Sequence, residues 1–429
     1  MDAVHTFAHA DSRAMERLNN AIIVLLPKKV GASCPADFRP ITMIHSFAKL
    51  ISKVLALRLA PRLNDLVAKN QNAFIQSRTI QDNFKYIQSA AAMIRKKKVP
   101  MLLLKLDISK AFDTLSWPFL LKVLQARGFG QNWRRWISVL LSTASSKIML
   151  NGHQGPAIRH RRGVRQGDSL SPMLFIIAMD VLHRLFLKAA RDSVLRKMDP
   201  ASVKYQCSFY ADDVMLFIRP TVQQARAVKE ILRIFGEASG LKTNFAKCSI
   251  TPIYGGEDTT QERTDILGCQ VQPFTIRYLG LPLSTKKIPK AHLQSMVESV
   301  ASKLSPCQGS LMARSGRLVW VKSVLRAVPI YAMTADSLPP WARKEMDAIC
   351  RKFFWAGRDE SIHGKCMVAW EAMCRPSQLG GWESLTLDSP ATLYKQDGCG
   401  YRRRTKIEPG ANYPSRLTQK CTGSSEHPR

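Results

Sequence analysis

Acidic residues are scarce in this 429-residue chain: 32 Asp and Glu stand against 64 Lys and Arg, a formal net charge of +32. Self-repulsion on that scale opposes compaction unless a polyanion binds, and nucleic acid is the usual one. A ribosome-like structural protein or a membrane-surface binder would also be basic. The latter fits less well, because the basic residues run along the whole chain instead of gathering on one amphipathic helix. Long apolar runs are missing too. The longest, Pro172 to Leu182, is short and contains Asp180, which excludes a transmembrane span. Asp2, His5 and Asp11 sit where a secretory signal needs an apolar core. Ten cysteines are scattered with no Cys-x-x-Cys pair, the pattern of free thiols in a reducing, intracellular compartment. His363, Cys366 and Cys374 lie near one another but match no common zinc spacing, so buried thiols are the default reading. No internal repeat is visible. What is present is a 45% hydrophobic chain, long enough for two or three domains.

The apolar periodicity divides the chain. Residues 21–26 read as a strand ended by Pro27, and 44–67 as a helix that Pro61 kinks or divides. A helix over 82–97 leads into the strand Met101 to Leu106, which ends at Asp107. Ser116, Pro118 and Gly128 punctuate the next helix. Residues 147–150 with Asn151-Gly152 read as a strand and hairpin turn, and an apolar helix opens at Ser171. A hairpin over 206–218 precedes an amphipathic helix over 222–238, closed by Gly240. Short strands are expected at 249–253 and 275–279, and only helices over 289–355. Hairpin-joined strands with intervening helices over 101–283 predict an α+β layer, an antiparallel sheet backed by helices on one face.

The chemistry concentrates at the bend of that hairpin. Tyr210-Ala211-Asp212-Asp213 places two carboxylates side by side, where mutual repulsion raises the cost of ionising both. An Asp-rich bend also suits an ordinary turn. A divalent cation removes the repulsion, and oxygen-only ligation by carboxylates is what Mg²⁺ prefers. Asp107 ends an apolar strand about a hundred residues earlier and joins them if the strands are neighbours. Asp113, six residues further, reads as structural. Arg162-Gly163-Val164-Arg165-Gln166-Gly167-Asp168, feeding a helix start, has the composition of an anion cradle.

Together these motifs resemble a reverse transcriptase. Leu104 to Asp113 looks like the family's first catalytic motif and Arg162 to Pro172 like its template- and nucleotide-positioning motif. Tyr210 to Asp213 is the signature box, and Ser239 to Lys247 and Tyr278-Leu279-Gly280 resemble two later motifs. Asp37 to Ile41 and Asn72 to Ile75 are wording typical of the non-LTR, LINE-like branch in plants. The resemblance implies a right-hand polymerase: a ferredoxin-like antiparallel sheet in fingers and palm over 17–284, after a 1–16 extension, then a helical thumb-like unit over 285–381. It implies an RNA-directed DNA polymerase that adds dNTPs to a DNA primer on an RNA template. Two Mg²⁺ ions, or Mn²⁺ in their place, would be held by Asp107, Asp212 and Asp213. Lys28 or Lys29, with Arg39, would meet the triphosphate; Gln166 and Gly167 would form the pocket floor. Phe112 would exclude a 2′-hydroxyl, unless it is a core Phe, and Lys247 would protonate pyrophosphate, unless it is a surface Lys. Tyr278, Leu279 and Gly280 would grip the primer. No membrane is implied, and a nuclear location is; the clusters Arg95 to Lys98 and Arg159 to Arg162 resemble nuclear signals.

Two departures qualify the resemblance. The upstream endonuclease of the LINE branch has no counterpart, so a truncated element is expected. Beyond Trp382 the apolar periodicity vanishes, and 382–429 reads as a disordered or out-of-frame tail. A catalytically inactive nucleic-acid-binding remnant is therefore the rival expectation.

Overall fold

The computed structural model describes residues 7, 12–196, 198, 203–255, 266–304, 312–335, 338–357, 367–375 and 379–381. His363, Cys366 and the tail 382–429 lie outside them. Helix α1 (Ser12–Leu18) leads into β1 (Asn20–Pro27), the centre of an N-terminal sheet. Strand β1 pairs antiparallel with β2 (Phe38–Ile44) and parallel with β4 (Ser145–Leu150). Two-residue strands β5 (His153–Gln154) and β6 (Ile158–Arg159) both pair with β4. Strand β2 is not among the strands expected from the periodicity, and its Pro40 removes a ladder donor. An edge strand tolerates that, and β2 lies at the edge. Residues 147–150, expected in one layer with the strand of Asp107, belong as β4 to this first sheet.

The helices follow from caps and periodicity. Helix α2 (Ser46–Leu59) stops at a 3₁₀ turn, Ala60–Arg62, that holds Pro61. Helix α3 (Ile80–Lys96) starts with a Thr79–Asp82 capping box. In α4 (Trp117–Ala126), Ser116 Oγ accepts the Phe119 N–H and Gly128 leaves with φ +79°. Helix α5 (Gln131–Ser142) packs on α4. Helix α6 (Ser171–Arg191) is apolar nearly all round because it runs through the core. Its one deeply buried carboxylate, Asp180, accepts the Ala68 N–H at 2.9 Å and pairs with Arg184 at 3.0 Å and with Arg127 just after α4. Helix α7 (Val222–Ser239) is capped by Thr221 and ends at Gly240.

The central sheet has the order β10-β9-β3-β8-β7, with β3 (Met101–Leu106), β7 (Cys207–Tyr210), β8 (Asp213–Ile218), β9 (Ser249–Tyr254) and β10 (Gln270–Val271). All its pairings are antiparallel except β9 with β10. Strand side chains alternate between faces. Leu102, Leu104, Leu106, Val214, Leu216 and Ile218 join the core of α4, α6 and α7. Met101, Leu103, Met215 and Phe217 point the other way, into a second core. So helices cover both faces, which is why β3 and β8 read as continuous apolar runs.

The second core continues into the C-terminal part. There β11 (Ile276–Tyr278) and β12 (Leu281–Leu283) form a separate hairpin. Helices α8 (Lys290–Ala301), α9 (Arg314–Trp320), α10 (Ala327–Ala335) and α11 (Pro340–Ala356) follow, with a π-helical turn at Val321–Leu325. Leu293, Val297, Leu325, Met346 and Phe353 pack in one cluster with Phe84 and Ile87 of α3 and with Leu103 and Phe217 of the sheet.

Candidate active site

Two strand ends build the site. In the β3–β8 pairing Leu106 is opposite Val214, so one step further Asp107 stands opposite Asp213. Residues directly opposite in an antiparallel pair hold their Cβ atoms about 5 Å apart. Asp213 closes the β7–β8 hairpin opposite Tyr210, and Asp212 occupies the two-residue turn with Ala211. By the alternation of the strands, Asp107 and Asp213 share the face of Lys105, Leu103, Met215 and Phe217. Three carboxylates from stretches a hundred residues apart in the chain therefore meet at one end of one sheet face.

The electrostatics are those of a site short of positive charge. Burial raises the Asp212 carboxyl above the ordinary carboxylate range, and the charge of Asp107 adds to this. Burial likewise raises Asp213, reinforced by Asp212 and Asp107 and opposed by Lys105. Lys105, the only charged residue within β3, is tied by its Nζ to the Arg277 carbonyl at 3.0 Å. Among the described residues no three His, Cys, Asp or Glu side chains already stand in a closed metal-binding arrangement. The donor set nonetheless fits a hard cation: partly buried carboxylate oxygens, mutually repelling and only partly balanced by one lysine. The β3–β8 register supplies the convergence.

Neighbouring segments hold the strand end of Asp107. The Asn244 N–H donates to the Asp107 carbonyl at 2.8 Å, and the Asp107 N–H donates to Cys248 Sγ at 3.3 Å. Ser239 to Lys247 thus braces the Asp107 segment, and at Gly240 a Cβ would lie 2.3 Å from the Thr114 carbonyl oxygen. The loop Arg162 to Asp168 presses on the same segment. The Val164 N–H donates to the Phe112 carbonyl at 2.7 Å, and Trp117 Nε1 donates to the Gly163 carbonyl at 2.7 Å. A Cβ on Gly163 would meet the Asp113 carbonyl oxygen at 2.6 Å, so only glycine fits.

The other expected residues divide. Gln166 and Gly167 form a turn beside β2, with the Gly167 Cβ position 3.3 Å from the Thr42 carbonyl oxygen. Arg165 does not serve as an anion donor as expected: it is buried and donates to the Asn19 carbonyl and, at 2.5 Å, to Asn19 Oδ1. Phe112 is half-buried and stacks on Phe175 at 4.6 Å between ring centroids. Lys28, Lys29 and Arg39 lie exposed on the β1–β2 hairpin of the other sheet, and Lys29 pairs with Asp37 at 2.9 Å. Lys247 is exposed in a 3₁₀ turn, and Asp113 is exposed in the single turn Ala111–Thr114. Tyr278 departs from the expectation of a primer contact. Its side chain is wholly buried against Phe84, so of these three only Leu279 and Gly280 reach the surface. Sequence reasoning missed Lys105, Cys248 and the amide run Asn70-Gln71-Asn72. Asn70 and Gln71 are buried, at 4% and 3% exposed, which nothing in the local sequence marks.

Comparison with known proteins identifies the family. Residues 26–283 match the family model described as "Reverse transcriptase (RNA-dependent DNA polymerase)". A 149 kDa protein of transposon TX1 from Xenopus laevis is 26% identical over 351 residues, covering 79% of this chain and 26% of that protein. The Pol polyprotein of the type-2 retrotransposable element R2DM from Drosophila melanogaster is 28% identical over 232 residues, 54% of this chain and 21% of the polyprotein. The chain therefore spans about a quarter of the length of these curated relatives. Among solved structures, telomerase from Candida albicans overlaps 80% of this chain and 60% of its own at a TM-score of 0.42 and 13% identity. With the family model covering more than half of its residues, and transposon proteins as its relatives, the chain belongs to the reverse transcriptase family, in the branch of the non-LTR retrotransposons.

Proposed function

We propose that this chain is an RNA-directed DNA polymerase that extends a DNA primer with dNTPs on an RNA template. The observation that carries the reading is the β3–β8 register, which brings Asp107 opposite Asp213 with Asp212 adjacent. Two Mg²⁺ ions bound there would stabilise the attacking primer 3′-oxygen and the leaving pyrophosphate in an in-line displacement. Asp107, Asp212 and Asp213 would hold them, and Lys105 would keep part of their charge balanced. Phe112, against Phe175, would limit room for a 2′-hydroxyl, and Gln166 with Gly167 would floor the nucleotide pocket. Leu279 and Gly280 would steady the primer end; Lys28, Arg39 and Lys247 are candidates for the triphosphate. In this reading residues 17–284 form fingers and palm and 285–381 a thumb-like unit. The Asp37 to Ile41 and Asn72 to Ile75 wording supports a LINE-type element of plants, acting in the nucleus. Among the described residues no helix is long and apolar enough to cross a membrane.

The test is extension of oligo(dT) on poly(rA) by the purified chain with Mg²⁺, beside an Asp212→Asn control. Incorporation by the parent and none by the control is expected. Tight RNA binding without any extension would instead make the chain a non-catalytic nucleic-acid-binding remnant.

A further inference from the structure

Ala211, the first residue of the turn that presents Asp212, has φ +54°, a region L residues leave unless something holds them. The restraint comes from outside the hairpin. Strand β7 ends the central sheet, yet its outer edge is not bare. The Phe209 N–H donates to the Asn70 carbonyl at 2.9 Å, and the Asn72 N–H donates to the Phe209 carbonyl at 3.2 Å, forming one parallel bridge centred on Gln71. Beyond Phe209 that backbone ladder stops, and the Gln71 side chain continues it. Its Oε1 accepts the Ala211 N–H at 3.0 Å and the Ala73 N–H at 3.0 Å, while its Nε2 donates to the Ala211 carbonyl at 3.5 Å. A primary amide carries the same donor and acceptor as a peptide group. Gln71 therefore meets both polar groups of one turn residue as a neighbouring strand would. At 3% exposure it does so shielded from water, where a hydrogen bond is stronger and its loss leaves a buried group unpaired.

We propose that Gln71 is a positioning residue for nucleotidyl transfer: it fixes Ala211 in its left-handed conformation and thereby sets the direction in which Asp212 faces the metal ions. Gln71 touches neither metal nor substrate. The inference rests on the reading of Asp107, Asp212 and Asp213 as metal ligands. Asparagine is one methylene too short for this contact. Glutamate keeps the acceptor but loses the donor and adds a charge beside Asp212. Methionine fills the same volume without an amide.

The test compares Gln71→Met and Gln71→Glu, each alone and combined with Ala211→Gly, because glycine adopts positive φ without steric strain. Three quantities are read: hydrogen exchange of the amides over 209–213, the Mg²⁺ concentration giving half-maximal extension, and kcat separately from the dNTP KM. In Gln71→Met, exchange at Ala211 accelerates about tenfold, half-maximal Mg²⁺ rises about tenfold and kcat falls on the order of 10- to 100-fold, with KM nearly unchanged. Gln71→Glu, which retains the acceptor, loses less exchange protection. Adding Ala211→Gly restores kcat and Mg²⁺ dependence to within about threefold of Ala211→Gly alone, which general destabilisation would not allow. Unchanged kcat and Mg²⁺ dependence in Gln71→Met, or an undiminished loss in the double variant, overturns the proposal. The exchange measurement needs no activity. If the parent extends no primer, the polymerase reading falls, and the exchange result alone still supports or overturns the Gln71 brace.

Discussion

Asp180 and the Asp212–Asp213 pair are both carboxylates set in apolar surroundings, and they are treated in opposite ways. Asp180 has its side chain 1% exposed and is answered by two guanidinium groups and a backbone N–H. Asp212 and Asp213 face instead the charge of Asp107 and, for Asp213, that of Asp212, with Lys105 opposing the shift at Asp213. A buried charge that the fold satisfies is a fastener. A group of charges left mutually repelling is stable only with help from a ligand. The two cases look alike in sequence, as acids among hydrophobic residues, and only the three-dimensional partners separate them.

Substitutions should move the two sites in opposite senses. The largest effect falls on activity: Asp107→Asn or Asp212→Asn should lower primer extension on the order of a thousandfold or more. The same variants should melt no lower than the parent without metal, since a repelling charge has been removed. Equal loss of melting temperature and activity would erase the contrast. Asp180→Ala should do the reverse, destabilising by roughly 3–5 kcal/mol by stranding Arg127 in the core. Its denaturant midpoint should fall, while the surviving folded fraction keeps its turnover.

The pH dependence sharpens the same point. The carboxyls of Asp212 and Asp213 are raised on folding, so their contribution to stability is present below the ordinary carboxylate range and is lost as pH rises through their raised values. Mg²⁺ should offset that loss. The Mg²⁺-induced rise in melting temperature is therefore expected to be larger at pH 8 than at pH 5, and a rise independent of pH would count against a carboxylate site. A smaller effect is expected at Phe112. Phe112→Val should lower discrimination against ribonucleotides about tenfold, read as the ratio of kcat/KM for dNTP and rNTP. An unchanged ratio would leave Phe112 as a packing partner of Phe175 only.

Local rules recovered what is locally encoded. The β7–β8 hairpin, the cap at Ser116 and the stops at Pro61 and Gly240 were legible because each depends on residues within a turn or two. The α+β class followed from their order. Non-local pairing was not legible: nothing in 20–27 announces a parallel partner at 145–150 or an antiparallel one at 38–44. The site divides in the same way. Asp107, Asp212 and Asp213 stood out because carboxylates at apolar strand ends are locally costly. Gln71 did not, since an amide becomes informative only when its partner, 140 residues away, is known. The burial of Tyr278 was not legible, because an aromatic in a short strand gives no sign of which side it turns.

The sharing of one apolar cluster between the central sheet and helices α8 to α11 has a practical meaning for dissection of this protein. The family match ends at residue 283, but the packing does not. A fragment cut there would strip the C-terminal helices from Phe84 and Leu281, leaving apolar side chains of α3 and the β11–β12 hairpin open to solvent, and aggregation of the fragment is the expected outcome.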